Sequence, residues 1–198
     1  MRRQTIVLAA SAAAVAVCLG LSGCSSSGGG TASTRSAPAS ESNPLGDIPD
    51  DQVFVPYSPP DGSFSVDVPE GWARTDAGDT VSFTDKLNTV IVQQLTGRPQ
   101  PTPDSVRAED LADITAHGRN VAPGSVEEVT LPAGPVIHAT YSEDALPDPV
   151  TGRTVRDDVE LFVFWKNGNE VLLTLRGPHG ADNVDPWKTI STSFRWNR

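Results

Sequence analysis

Apolar and polar residues alternate strictly over residues 63–68, with Phe64, Val66 and Val68 on one face and Ser63, Ser65 and Asp67 on the other, the pattern of a half-buried strand. Pro69-Glu70-Gly71-Trp72 then breaks the alternation with turn chemistry. Two more strands are predicted over 80–84 and 89–95, joined by a polar turn at 85–88, and three strands in succession predict an antiparallel meander. The apolar spacing next lengthens to that of a helix, with Ala108, Leu111, Ala112 and Ile114 as its stripe. Thr102 serves as N-cap, Pro103 suits the first helical position, Asp104 complements the positive end of the dipole, and Gly118 closes the helix.

Strand signals return at 126–131, 136–142 and about 156–166, and the last of these turns through Asn167-Gly168-Asn169 into 170–176. An Asn-Gly pair between two β-rich runs marks a hairpin, because both central turn residues must tolerate positive φ. Leu161-Phe162-Val163-Phe164-Trp165 and Val171-Leu172-Leu173 are apolar on both faces, which places this hairpin at the centre of the sheet with layers on either side. A second helix is predicted from Asp185 as cap and Pro186 as first residue, with Trp187, Ile190 and Phe194 along one side. The class is α+β: an antiparallel sheet flanked by helices, in a single domain spanning 54–198.

The N-terminal third reads differently. Met1-Arg2-Arg3 precedes an apolar run over 6–19, the layout of a removable secretory signal and too short for a comfortable membrane-spanning helix. Leu21-Ser22-Gly23-Cys24 resembles the lipobox of bacterial lipoproteins, which implies a signal peptide over 1–23, cleavage before Cys24 and lipid on its thiol. The expected location is the extracytoplasmic face of the cell membrane, held by lipid. Residues 24–53 are rich in Ser, Gly, Ala and Pro and read as a flexible tether, with Asp47, Asp50 and Asp51 as solvated linker. About 30 such residues have an r.m.s. span on the order of 30 Å. Cys18 falls within the signal, so the mature chain has no thiol pair to form a disulfide. The formal net charge of −10 becomes two units more negative once Arg2 and Arg3 are lost, which argues against nucleic-acid binding and against polybasic attraction to anionic lipid.

Phe64-Ser65-Val66-Asp67-Val68-Pro69-Glu70-Gly71-Trp72, a strand followed by a proline-glycine-tryptophan turn, resembles the opening of the PsbP-like superfamily, which includes Ran-binding Mog, PsbP and DcrB types. Ile190-Ser191-Thr192-Ser193-Phe194-Arg195 resembles its last helix, and the lipobox and linker layout is similar to that of actinobacterial LpqN-like lipoproteins. The resemblance implies an α/β/α sandwich, burial of Trp72, Trp165 and Trp187, and an accessory or binding role rather than catalysis. It supplies no catalytic residues.

The chain's own chemistry points the same way. It contains no Gly-x-Ser-x-Gly elbow, His-Glu-x-x-His, phosphate loop or dinucleotide fingerprint, so no catalytic set, metal site or cofactor is expected. His117 at a helix end reads as structural, and His138 as an exposed or partly covered sheet residue. His179 in the loop Gly177-Pro178-His179-Gly180, with Asp182 close by, is the better candidate for a ligand or base. Glu143, Asp144, Asp148, Asp157, Asp158 and Glu160 form an acidic stretch whose plain reading is solvated strand ends and loop. In the loop 145–154, two prolines present Leu146 and Val150 in extended form, as a binding loop would. Candidate binding residues are therefore Leu146, Val150, His179 and Asp182. Two classes of function remain: an interaction module whose partner is another envelope protein, or a carrier of a small molecule or metal ion, or an undetected hydrolase, either of which needs a pocket with convergent polar groups.

Overall fold

The computed structural model describes residues 46–197; the expected signal over 1–23, Cys24 and the tether up to residue 45 lie outside them. The elements run β1 (Phe54–Tyr57), β2 (Phe64–Pro69), β3 (Ala73–Ala77), β4 (Thr80–Asp85), β5 (Asn88–Thr96), α1 (Pro103–Ala108) and α2 (Asp110–His117). They continue as β6 (Ala122–Leu131), β7 (Gly134–Asp144), β8 (Arg156–Lys166), β9 (Asn169–Pro178), α3 (Val184–Ser193) and β10 (Arg195–Trp196). Seven strands form one antiparallel sheet in the order β3-β4-β5-β9-β8-β7-β6, and a small sheet has the order β1-β2-β10.

The β8–β9 hairpin sits where its two-sided hydrophobicity places it. Asn167 and Gly168 both adopt positive φ, the turn an Asn-Gly pair favours. Leu161, Phe162, Val163 and Phe164 are all buried, and alternation sends them to opposite sides of the sheet. Phe162 and Phe164 join Phe64, Val66, Ile190 and Phe194 in the core beneath the small sheet and α3. Leu161 and Val163 join Val106, Leu111, Ala139 and Tyr141 beneath α1 and α2. Phe194 clasps the first of these cores, stacking on Phe164 at a centroid distance of 3.9 Å and on Phe64 at 5.3 Å.

Several local expectations are corrected. The single helix after Thr102 is two, broken at Glu109, where ψ is −68° and φ has swung to −109°. Thr102 does cap the first: its Oγ1 accepts from Ser105 N (3.1 Å), and Ser105 Oγ accepts from Thr102 N (2.9 Å). Val106 replaces Ala108 as the residue α1 buries, Leu111 anchors α2, and Ala108 and Ala112 are exposed. The last helix begins at Val184 and ends at Ser193, so Phe194 packs from just beyond its end. Trp187 is buried, but Trp72 and Trp165 are only half-buried. The Trp165 indole stands near the end of β8 and donates Nε1–H to the carbonyl of Arg98 (3.0 Å), while Trp72 packs on the core from the turn after β2. β1, β3 and β10 were not legible as strands, since β1 contains Pro56, β3 is exposed throughout and β10 has two residues.

The folded part also starts ahead of Phe54. Ile48 is 3% exposed and belongs to the core, so residues 46–53 are part of the domain rather than of the tether expected over 24–53. Two buried asparagines hold this segment. Ile48 N–H donates to Asn183 Oδ1 (2.8 Å), and the amides of Asn88 and Asn183 donate to the Gly46 carbonyl at 2.8 and 3.1 Å. Asn183 Nδ2 further donates to Asn88 Oδ1 (3.0 Å). Gly46 adopts φ +100° against the ring of Pro178, where a Cβ would come within 2.4 Å of Cγ.

Candidate functional site

The site lies on the sheet face that carries α3, at the end where β7 stops and β8 begins. Register pairs His138 with Phe162, Thr140 with Glu160 and Ser142 with Asp158. Because neighbours along a strand point to opposite faces, Ala139, Tyr141, Val159 and Leu161 enter the core under α1 and α2, while Thr140, Ser142, Asp158 and Glu160 floor an uncovered stretch of the other face. The first turn of α3 walls this floor with Asn183, Val184 and Trp187, and Ala122, Pro123 and Gly124 of β6 stand on the opposite side. The result is a cleft of about 540 Å³.

A bulge in β6 between Pro123 and Val126 shapes that second wall. Ser125 N donates to Thr140 Oγ1 (3.0 Å), and the backbone of Gly124 passes so close that a Cβ there would lie 2.4 Å from the same oxygen. Gly124 is thus required by close approach.

Two imidazole–carboxylate pairs border the cleft. His138 Nε2 lies 3.1 Å from Glu160 Oε2, and its ring stacks on Phe162 with centroids 4.5 Å apart. His138 is therefore half-buried and partly covered, as expected for its sheet position. His179 is exposed, and its Nδ1 lies 2.9 Å from both oxygens of Asp158. The sequence neighbour Asp182 is not its partner; the Asp182 backbone N–H donates instead to Asp47 Oδ1 (2.9 Å). His117 stays at the end of α2, its Nδ1 3.0 Å from the carbonyl of Asp113.

The acidic stretch does not act as one group, because strand alternation disperses it. Asp157 is buried on the opposite face, hydrogen-bonded to Arg176 Nε, and Arg176 Nη1 meets Glu143 at 2.9 Å. Burial, and then the nearby Glu143 carboxylate, push the Tyr141 phenol there up to about 12. Asp144 pairs with Arg156 (3.1 Å), whose hydrogen bond holds the Asp144 carboxyl below the usual range. Only Asp158 and Glu160 reach the cleft. Among the described residues no group of three or more His, Cys, Asp or Glu side chains is arranged to hold a metal ion.

Asp148 organises the loop beyond the cleft. Its Oδ1 accepts from Thr151 N (2.7 Å), Thr151 Oγ1 (2.9 Å) and Val150 N (3.0 Å), and the Thr151 backbone bond is the first cause of its lowered pKa. The loop so formed leaves Leu146 76% and Val150 90% exposed. Asp148 is thus a loop organiser rather than one more solvated member of the acidic stretch, and its Asp-Pro-x-Thr spacing is the sequence signal for that role.

The fold is found in solved structures. Cyanobacterial PsbP (CyanoP) from Synechocystis sp. PCC 6803 is 16% identical, with 78% of this chain and 99% of that one covered at a TM-score of 0.51. A protein of Bacteroides thetaiotaomicron is 14% identical over 72% of this chain at a TM-score of 0.50, and this chain spans only 48% of its length. LpqN of Mycobacterium tuberculosis is a looser match, 14% identical, covering 74% of this chain and 91% of that one at a TM-score of 0.42. No protein-family model and no curated protein matches the chain by sequence. The chain is an α+β domain of the PsbP-like fold.

Proposed function

We propose that this chain is an accessory, non-catalytic module of the bacterial cell envelope, held at the extracytoplasmic face of the membrane by lipid on Cys24, that binds another envelope protein through the end of the sandwich bearing the 145–154 loop. The observation that carries this reading is the pair Leu146 and Val150, large apolar side chains left exposed on a loop that Asp148 fixes in one shape. Apolar groups presented on a pre-shaped loop lose little conformational entropy on docking. His179 stands at the same end, since its backbone N–H donates to the carbonyl of Arg156 at the start of β8. A core filled on both faces of the sheet also supports partner binding over an internal apolar carrier cavity.

A photo-crosslinking residue placed at 146 or 150 should capture a defined envelope partner in intact cells. The same partner set recovered from a protein carrying Leu146→Ser and Val150→Ser, by chemical crosslinking, would remove this loop as the docking surface.

A further inference from the structure

We infer that the cleft between α3 and the β7–β8 floor binds an organic cation, a primary amine or guanidinium carried on a short apolar stem; the inference goes beyond the interaction reading and rests on that reading only in using the same end of the domain. Its volume of about 540 Å³ is that of a small-molecule site. Asp158 and Glu160 present two carboxylates there, with side chains 44% and 32% exposed, and among the described residues each is met only by an imidazole. No lysine or arginine lines the cleft. Arg156, which donates to Ser142 Oγ (2.7 Å) at one end of the floor, has its charge met by Asp144. Trp187 and Val184 supply an apolar wall for the stem. A cation gains there from carboxylates partly withdrawn from water, where charge pairing exceeds its value on an open surface, and an aromatic wall favours the same sign of charge. An anion would face two carboxylates, and a neutral apolar molecule would bring them no positive charge.

The shared chemistry has two sources, a free diamine or a lysine or arginine side chain of a partner. Calorimetric titration of the purified protein at low ionic strength with cadaverine, with a short peptide bearing one central lysine among neutral residues, and with the uncharged diol of cadaverine's length separates them. The expected result is saturable binding of a cation and none of the diol. Tighter binding of cadaverine assigns the cleft to a small molecule, and tighter binding of the peptide assigns it to a partner's side chain. Asp158→Asn with Glu160→Gln should weaken binding at least tenfold. Should that variant fail to fold, Val184→Lys decides the matter, because Val184 is 71% exposed and the new ammonium would occupy the cleft mouth without disturbing the core. No binding by either cation, equal binding of the diol, or affinity unchanged in the variants overturns the inference. Partner crosslinks at Leu146 and Val150 that persist in that event leave the interaction reading standing.

Discussion

His179 and Asp158 are 21 positions apart in the chain, yet Nδ1 of the imidazole lies 2.9 Å from both carboxylate oxygens. The pair joins the loop after β9 to the start of β8, and with it the first turn of α3 to the floor of the cleft. Asp182, nearer in sequence, contributes instead its backbone N–H to the Asp47 carboxylate. Which acid accompanies the loop histidine was thus settled by strand register, which brings Asp158 opposite Gly177.

Cys24→Ala should abolish fatty-acid labelling of the protein in growing cells and leave precursor or released protein. Label retained in the Cys24→Ala protein would refute lipid attachment at this residue. A single acyl chain anchors marginally and two or more hold firmly, so the labelled protein is expected to resist extraction by salt.

A chain beginning at Val53 should melt several degrees below one beginning at Ser25, because it lacks Ile48 and the carbonyl of Gly46 that Asn88 and Asn183 engage. Ile48→Ala alone should cost about 2–4 kcal/mol, as deletion of a buried aliphatic side chain does. Equal melting temperatures for the two chains would mean that the segment does not dock in solution.

Trp187→Ala should destabilise the domain by about 3–5 kcal/mol, the range for removing a large aromatic from a core. Trp72→Ala and Trp165→Ala should each cost less, since both indoles are only half-buried. Denaturant unfolding of the three variants checks the order, and a larger loss at Trp72 than at Trp187 would contradict the packing described.

Alkaline pH should weaken the fold through Tyr141. Its phenol is raised from an ordinary value of 10.0 to about 12 in the folded chain, so between these values the unfolded chain loses its proton first and stability falls as pH rises. Below that window the group has no effect. The loss is on the order of 3 kcal/mol at most, since each of the two units is worth about 1.4 kcal/mol. Tyr141→Phe, which has no phenol to ionise, should flatten the decline, and an unchanged pH profile of the melting temperature in that variant would exclude Tyr141 as its cause.

The succession of the main strands along the chain, the central place of the β8–β9 hairpin and the Thr102 cap follow from the sequence alone, because each rests on patterns among residues close along the chain or on a two-sided apolar run that no exposed strand tolerates; the pairing of β5 with β9 that orders the sheet does not. Thr102 and Ser105 satisfy each other across one turn, and Asn167-Gly168 adopts the positive φ values its composition favours. The sequence is also the source of the proposed lipid attachment at Leu21-Ser22-Gly23-Cys24, and it marks the loop that exposes Leu146 and Val150. Only the tertiary structure decided that Ile48 belongs to the core, that the helix after Thr102 is two, that Trp72 and Trp165 stay half-exposed, and that Asp158 rather than its neighbour Asp157 faces the cleft. The physical reason is range. Alternation states that two neighbours point apart, but which face is covered, and by what, depends on where α3 and the small sheet come to rest, and that was fixed by contacts such as Phe194 on Phe164 and Asn183 on Gly46 between segments distant in the chain.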